Sequence, residues 1–84
     1  MTEKMNHIIS FFKELGFSLN EANSNDRHFY MNKWLNSVEQ MDAQGDEDHI
    51  TIRLIGKKHV EEEENYNVFD KDSILQKIKE WDSH

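Results

Sequence analysis

Apolar residues recur at helical spacing near both ends of the chain and at alternating spacing between them. Met5, Ile8, Ile9, Phe12 and Leu15 follow the i, i+3, i+4, i+7 rhythm of one buried helix face, and Phe11 widens the stripe. This predicts a helix over residues 3–15. Gly16 follows directly, suited to the left-handed residue that closes a helix, with Phe17 placed to pack back on the last turn. Ile74, Leu75, Ile78 and Trp81 repeat the rhythm and predict a second helix over 71–82. Asp70 is the expected N-cap, which puts Phe69 at N′ and Ile74 at N4, the arrangement of a hydrophobic staple. Lys77 and Lys79 then lie toward the negative end of the helix dipole.

Between the helices the period drops to two. From His49 to Ile55, Ile50, Ile52 and Leu54 point one way, and Thr51, Arg53 and Ile55 the other, as in a half-buried strand. Gly56-Lys57-Lys58 reads as a turn, and Val60 to Phe69 as a returning strand with Val60, Tyr66 and Val68 on one face. Phe17 to Ala22 and Arg27 to Trp34, joined by Asn23-Ser24-Asn25-Asp26, read as an earlier hairpin. Residues 30–43 admit two readings. As helix, Met31, Trp34, Leu35, Val38 and Met41 share a face, and Glu39, Gln40, Met41 and Ala43 favour helix. As strand, Val38 to Ala43 pairs with 49–55 across the polar loop Gln44 to Asp48. Strand is the reading taken, because a sheet gives both terminal helices one common surface to cover.

The expected fold is therefore α+β, with N- and C-terminal helices on one face of a mostly antiparallel sheet of three to five strands. Eighty-four residues make one domain, 1–84, with a small core. The chain has no cysteine, so neither a disulfide nor a thiolate metal site reinforces it. Nine aromatic residues (five Phe, two Tyr, two Trp) supply the largest buried area per side chain.

Charge is unevenly placed. Residues 1–38 carry four basic and four acidic side chains; residues 39–84 carry six and thirteen, so the whole net charge of −7 sits in the second half. Direct nucleic-acid binding is disfavoured, because phosphate affinity comes from clustered Lys and Arg. No segment approaches the ~20 apolar residues of a membrane span, and the first seven residues lack the basic and apolar regions of a signal peptide. A cytoplasmic location is expected.

No residue stands out as a catalytic candidate. Gly16, Gly45 and Gly56 are isolated, so no phosphate-cradling loop is formed. No serine lies in a nucleophile-elbow pattern, and the carboxylates lie in runs that look exposed rather than in a pocket that would shift their pKa values. No metal or cofactor site is expected. His49 follows Asp46-Glu47-Asp48, but the spacing is not that of a calcium loop. His59 sits beside two lysines, which repel a cation, and His7, His28 and His84 have no partner at ligand spacing.

The acidic runs are the main functional clue. Glu61, Glu62, Glu63 and Glu64 on a strand give one carboxylate per ~3.3 Å, close to the ~3.4 Å axial phosphate spacing of one nucleic-acid strand. Glu39, Asp42, Asp46, Glu47 and Asp48 form a second group that the sheet could bring near. Together these nine are the candidate partner-binding residues, facing a basic protein such as a nucleic-acid-binding protein or a nuclease. Strand alternation turns Glu61 and Glu63 away from Glu62 and Glu64. In size and charge the chain resembles the small acidic inhibitors that phages and mobile elements direct against restriction or CRISPR nucleases; the resemblance is one of style and rests on no motif. It implies a non-enzymatic module that covers a nucleic-acid-binding surface. One alternative is a regulatory or housekeeping interaction module whose acidity keeps it soluble and guards an edge strand; a small metal-dependent enzyme is a remote third. His28-Phe29-Tyr30 with Trp34 is a further aromatic group, either core or interaction surface.

Overall fold

The computed structural model describes residues 2–83; Met1 and His84 lie outside them. Helix α1 spans Glu3–Glu14, and both its ends are satisfied locally. Thr2 caps the first turn, its hydroxyl accepting from the Met5 N–H at 3.2 Å. At the other end Gly16 takes the left-handed conformation, φ 96°. Its N–H donates to the Lys13 carbonyl and that of Phe17 to the Phe12 carbonyl, both at 3.0 Å. This is the Schellman pair of hydrogen bonds. The Phe12 and Phe17 rings meet edge-on at 5.2 Å, which is the hydrophobic contact that accompanies the motif.

Helix α2 spans Lys71–Asp82 and begins as expected. Asp70 accepts from the Ser73 N–H at 3.2 Å and from the Ser73 hydroxyl at 2.8 Å. Phe69 packs against the core, and Ile74 is buried. The Ser73 hydroxyl and N–H hold the Asp70 carboxyl below its ordinary 3.8. A depressed folded pKa stabilises the fold fully above the unfolded value and loses that contribution as pH falls through the folded one. Asp70→Ala is therefore expected to lower the urea midpoint at pH 7, with the gap to the parent closing as pH falls below 3.8. Equal midpoints at pH 7 would remove the cap assignment.

Five strands lie between the helices: β1 Ser18–Leu19, β2 Phe29–Trp34, β3 Gln40–Gly45, β4 Ile50–Ile55 and β5 Val60–Tyr66, with one 3-10 turn, Glu21–Asn23, after β1. They form one antiparallel sheet in sequence order. Residues 30–43 are strand, turn and strand. Asn36 sets the turn: its side-chain oxygen accepts from the Val38 and Glu39 N–H groups at 2.9 Å each, and the Leu35 N–H closes onto the Glu39 carbonyl at 2.9 Å. The helical grouping is broken, because Met31 and Met41 are buried while Trp34 and Val38 stand in solvent.

Cross-strand register places Phe29 opposite Gly45, Met31 opposite Ala43 and Met41 opposite Leu54, with Ala43 opposite Ile52. These residues face one side, and with Ile50 they join Met5, Ile8, Ile9, Phe12, Ile74, Ile78 and Trp81 in one core. Both helices cover that face, leaving the other face of the sheet open. Lys33, on the helix side, ties the two helix ends together: its ammonium donates to the Leu15 carbonyl at 3.0 Å and to Asp82 at 3.3 Å.

One expectation is corrected. Val60 and Tyr66 do not share a face, because the register slips between Leu54 and Ile55. Tyr66 pairs with Ile50 on the helix side, and Val60 pairs with Ile55 on the open side. An inserted residue of this kind re-aims the side chains on either side of it. Val68 lies beyond the strand and is exposed.

Candidate partner-binding site

β5 is an edge strand, and α2 reaches its helix side through Trp81 and Lys77, which meet Glu62 and Glu64. Alternation turns Glu62 and Glu64 toward α2, opposite Leu54 and Ile52 of the neighbouring strand. The Trp81 indole N–H donates to Glu62. Lys77 lies 3.7 Å from Glu64 and 3.1 Å from Glu80. Glu61 falls at the register slip, where its side chain lies against Gly56 in space that a Cβ there would fill. The result is a cleft of about 320 Å³ lined by Leu54, Glu61, Glu62, Lys77, Glu80 and Trp81.

Carboxylates outnumber ammonium groups here. Glu62, Glu64 and Glu80 lie around the single cation of Lys77, and Glu61 lines the same cleft from beside Gly56. The hydrogen bond from Lys77 to Glu80 is the first cause that raises the lysine's pKa, and the charges of Glu80, Glu64 and Glu62 act the same way. Burial, then the charge of Glu64, pushes the Tyr66 phenol up from its ordinary 10.0. Such a cleft can accept a lysine or arginine side chain between its carboxylates.

The other candidate residues are dispersed. Glu63 points to the open face, opposite Arg53, and accepts from the Asn65 amide at 3.3 Å. Glu39 sits in the β2–β3 turn, where its carboxylate accepts from the Asn36 amide at 3.1 Å. Asp46 shapes the β3–β4 turn by accepting from the Asp48 and His49 N–H groups at 2.8 Å each, and these bonds hold its carboxyl below 3.8. Glu47 accepts from the Thr2 hydroxyl at 2.9 Å, and Asp48 is exposed.

Asp42 departs furthest from the sequence reading. It is fully buried at the centre of the open face, covered by its own partners. The Tyr30 hydroxyl donates to it at 2.9 Å. The Arg53 guanidinium donates from Nε at 3.0 and 3.1 Å and again from a terminal nitrogen. The carboxylate raises the pKa of Arg53, and burial followed by the hydrogen bond to Asp42 raises that of Tyr30. Asp42 thus organises the sheet from inside and presents no charge to a partner.

Sequence reasoning missed Glu80 and Lys77 as members of the cleft. Their signal was the helix register: Lys77, Glu80 and Trp81 lie within one turn of α2, and Ile78 fixes which side faces the sheet. Among the histidines, His7 lies 3.9 Å from Glu3 and His49 3.8 Å from Asp46, both pairs on the surface. Among the described residues no group of three His, Asp or Glu side chains is arranged to hold a metal ion, and no helix is long and apolar enough to cross a membrane.

Comparison with protein-family models, with curated proteins and with solved structures finds no match in any of the three.

Proposed function

We propose that this chain is a non-enzymatic protein-binding module that docks its acidic β5–α2 cleft on a basic, nucleic-acid-binding surface of a partner protein, as a small inhibitor would. The observation that carries this reading is the gathering of Glu62, Glu64 and Glu80 around one lysine, with Glu61 lining the same cleft. A charged strand standing alone needs no such gathering; here a second element adds to the carboxylate density of the first. The net charge of −7 attracts a basic partner to the molecule over a distance set by salt, and the cleft then supplies the local contacts.

A second reading also rests on a specific observation. β5 is the sheet's edge, and glutamates on an edge strand block unwanted pairing with other chains. In that case the acidity serves solubility and the module binds elsewhere, or with no dependence on these carboxylates.

Competition separates the two. A basic nucleic-acid-binding protein captured on the immobilised chain at low salt is expected to be released by duplex DNA, because both occupy one groove. Glu61→Gln/Glu62→Gln is expected to weaken the capture about tenfold or more, as charge-assisted contacts contribute ~1.5–3 kcal/mol each. Glutamine at 62 still accepts from the Trp81 N–H, so the fold is kept. A captured protein that DNA does not displace, or that the double variant holds equally well, would favour the solubility reading.

A further inference from the structure

The open face of the sheet is nearly neutral on an otherwise acidic molecule and carries the chain's largest exposed apolar side chain, Trp34, at 59% exposure. Its side chains fall in three rows across β2, β3, β4 and β5. Trp34, Gln40, Ile55 and Val60 form the first, Asn32, Asp42, Arg53 and Glu63 the second, and Tyr30, Gln44, Thr51 and Asn65 the third. We infer that this face binds a second copy of the same chain, sheet against sheet, about a two-fold axis parallel to the strands.

The face is complementary to itself under that operation. Such an axis lays β2 over β5 of the second copy and β3 over β4, row on row. Trp34 then meets Val60, itself 40% exposed, so the bulkiest side chain of the face lies over a small one, twice. In the middle row Asn32 of each copy lies over Glu63 of the other, an amide donor over a carboxylate, while the Asp42–Arg53 pair stays satisfied within its own chain. The third row sets Tyr30 over Asn65 and Gln44 over Thr51, and amides and hydroxyls both donate and accept. A two-fold interface requires a surface of this self-matching kind.

Charge selects the second copy as occupant over a basic partner. Within the three rows only Arg53, Asp42 and Glu63 are charged, and Arg53 is already paired with Asp42. The face therefore offers little attraction to a cation. It is also where two chains of net −7 can meet with least repulsion. Aligned sheet packing of this kind is a common arrangement, with the two sheets ~10 Å apart. Four strands ~4.8 Å apart and six residues of ~3.3 Å give a footprint of ~400 Å² in plan per copy. That is small beside the ~800 Å² per partner of a stable complex, so the association is weak and concentration-dependent.

Sedimentation of the full chain from about 10 µM to about 1 mM tests this, with thermal melts confirming that each variant folds. The parent is expected to pass from monomer to dimer. Trp34→Lys and Val60→Glu, both at exposed positions, are each expected to remain monomeric with little change in melting temperature. An equimolar mixture of the two is expected to recover dimer, because lysine at 34 of one chain then faces glutamate at 60 of the other while the second contact stays native. A parent that remains monomeric throughout, a dimer that survives Trp34→Lys, or a mixture that associates no better than its components would each overturn the proposal. Loss of this dimer leaves the β5–α2 cleft untouched, so partner capture by Trp34→Lys is expected to match the parent.

Discussion

Phe12→Ala is expected to cost about 3–5 kcal/mol, the usual range for deleting a fully buried phenylalanine. Phe12 is wholly inaccessible and stands where three parts of the fold converge. Its ring meets Phe11 at 5.1 Å on its own helix, Phe17 at 5.2 Å in the closing motif and Phe29 at 6.1 Å on the sheet. Truncation leaves a cavity that none of these can fill without leaving its own packing, so the surroundings collapse only in part. Small domains have ~5–15 kcal/mol of stability in all, and an 84-residue chain without a disulfide lies toward the lower end. Phe11→Ala is the control. Phe11 is half-buried and packs edge-on against Phe69 at 5.2 Å, so its loss is expected to cost clearly less. Urea melts followed by circular dichroism give both values. A cost below ~1 kcal/mol for Phe12→Ala would show that Phe12 does not join α1 to the sheet as described here.

Asp42→Ala is expected to cost about 2–4 kcal/mol, most of it from the polar groups left without an acceptor rather than from the attraction that is removed. The variant leaves the Arg53 guanidinium and the Tyr30 hydroxyl beneath the surface without their common acceptor. The Arg53 side chain keeps 24% exposure, so water reaches part of it, and the cost stays below that of a fully enclosed charge. Replacing both partners, Asp42→Ala with Arg53→Met, is expected to be less destabilising than Asp42→Ala alone, since no charge is then stranded. Tyr30→Phe, which removes a single donor, is expected to cost ~1 kcal/mol. Urea melts of the three variants beside the parent give the comparison. If the double variant were less stable than Asp42→Ala, the stranded guanidinium would not be the source of the cost.

The helices were legible because both carry their boundary signals in the sequence. Gly16 with Phe17, and Asp70 between Phe69 and Ser73, state where each helix stops and starts, and the structure uses those residues in those roles. The strand His49–Ile55 was legible from strict alternation. Residues 30–43 were harder, because Met31, Trp34, Val38 and Met41 fit a helical period equally well; the Asn36 turn decides against it, and a single asparagine is a weak signal to read in advance. The register slip beside Ile55 was not legible at all. It depends on how β5 settles against β4 after the Gly56 turn, and it reverses the facing of Val60.

The acidic site was legible in its strand half only. Glu62 and Glu64 could be assigned to one face by alternation, but their convergence with Glu80 and Lys77 is a tertiary event between β5 and α2. Asp42 shows the converse failure. On the chain it belongs to an acidic group, whereas in the fold its cross-strand neighbour is Arg53, and register turns a surface charge into an interior one.

If the carboxylates of the β5–α2 cleft draw in and hold a basic partner, the association rate constant reports it most directly. It is measured with that partner for the parent and for Glu61→Gln/Glu62→Gln, across ionic strength. Screening lengths fall from ~10 Å at 0.1 M to ~3 Å at 1 M, so the parent's rate is expected to drop steeply with salt. The variant is expected to start slower and to fall along a shallower slope, the two converging at high salt. Identical rates at every ionic strength would contradict the proposal and leave the glutamates of β5 as guards of a sheet edge.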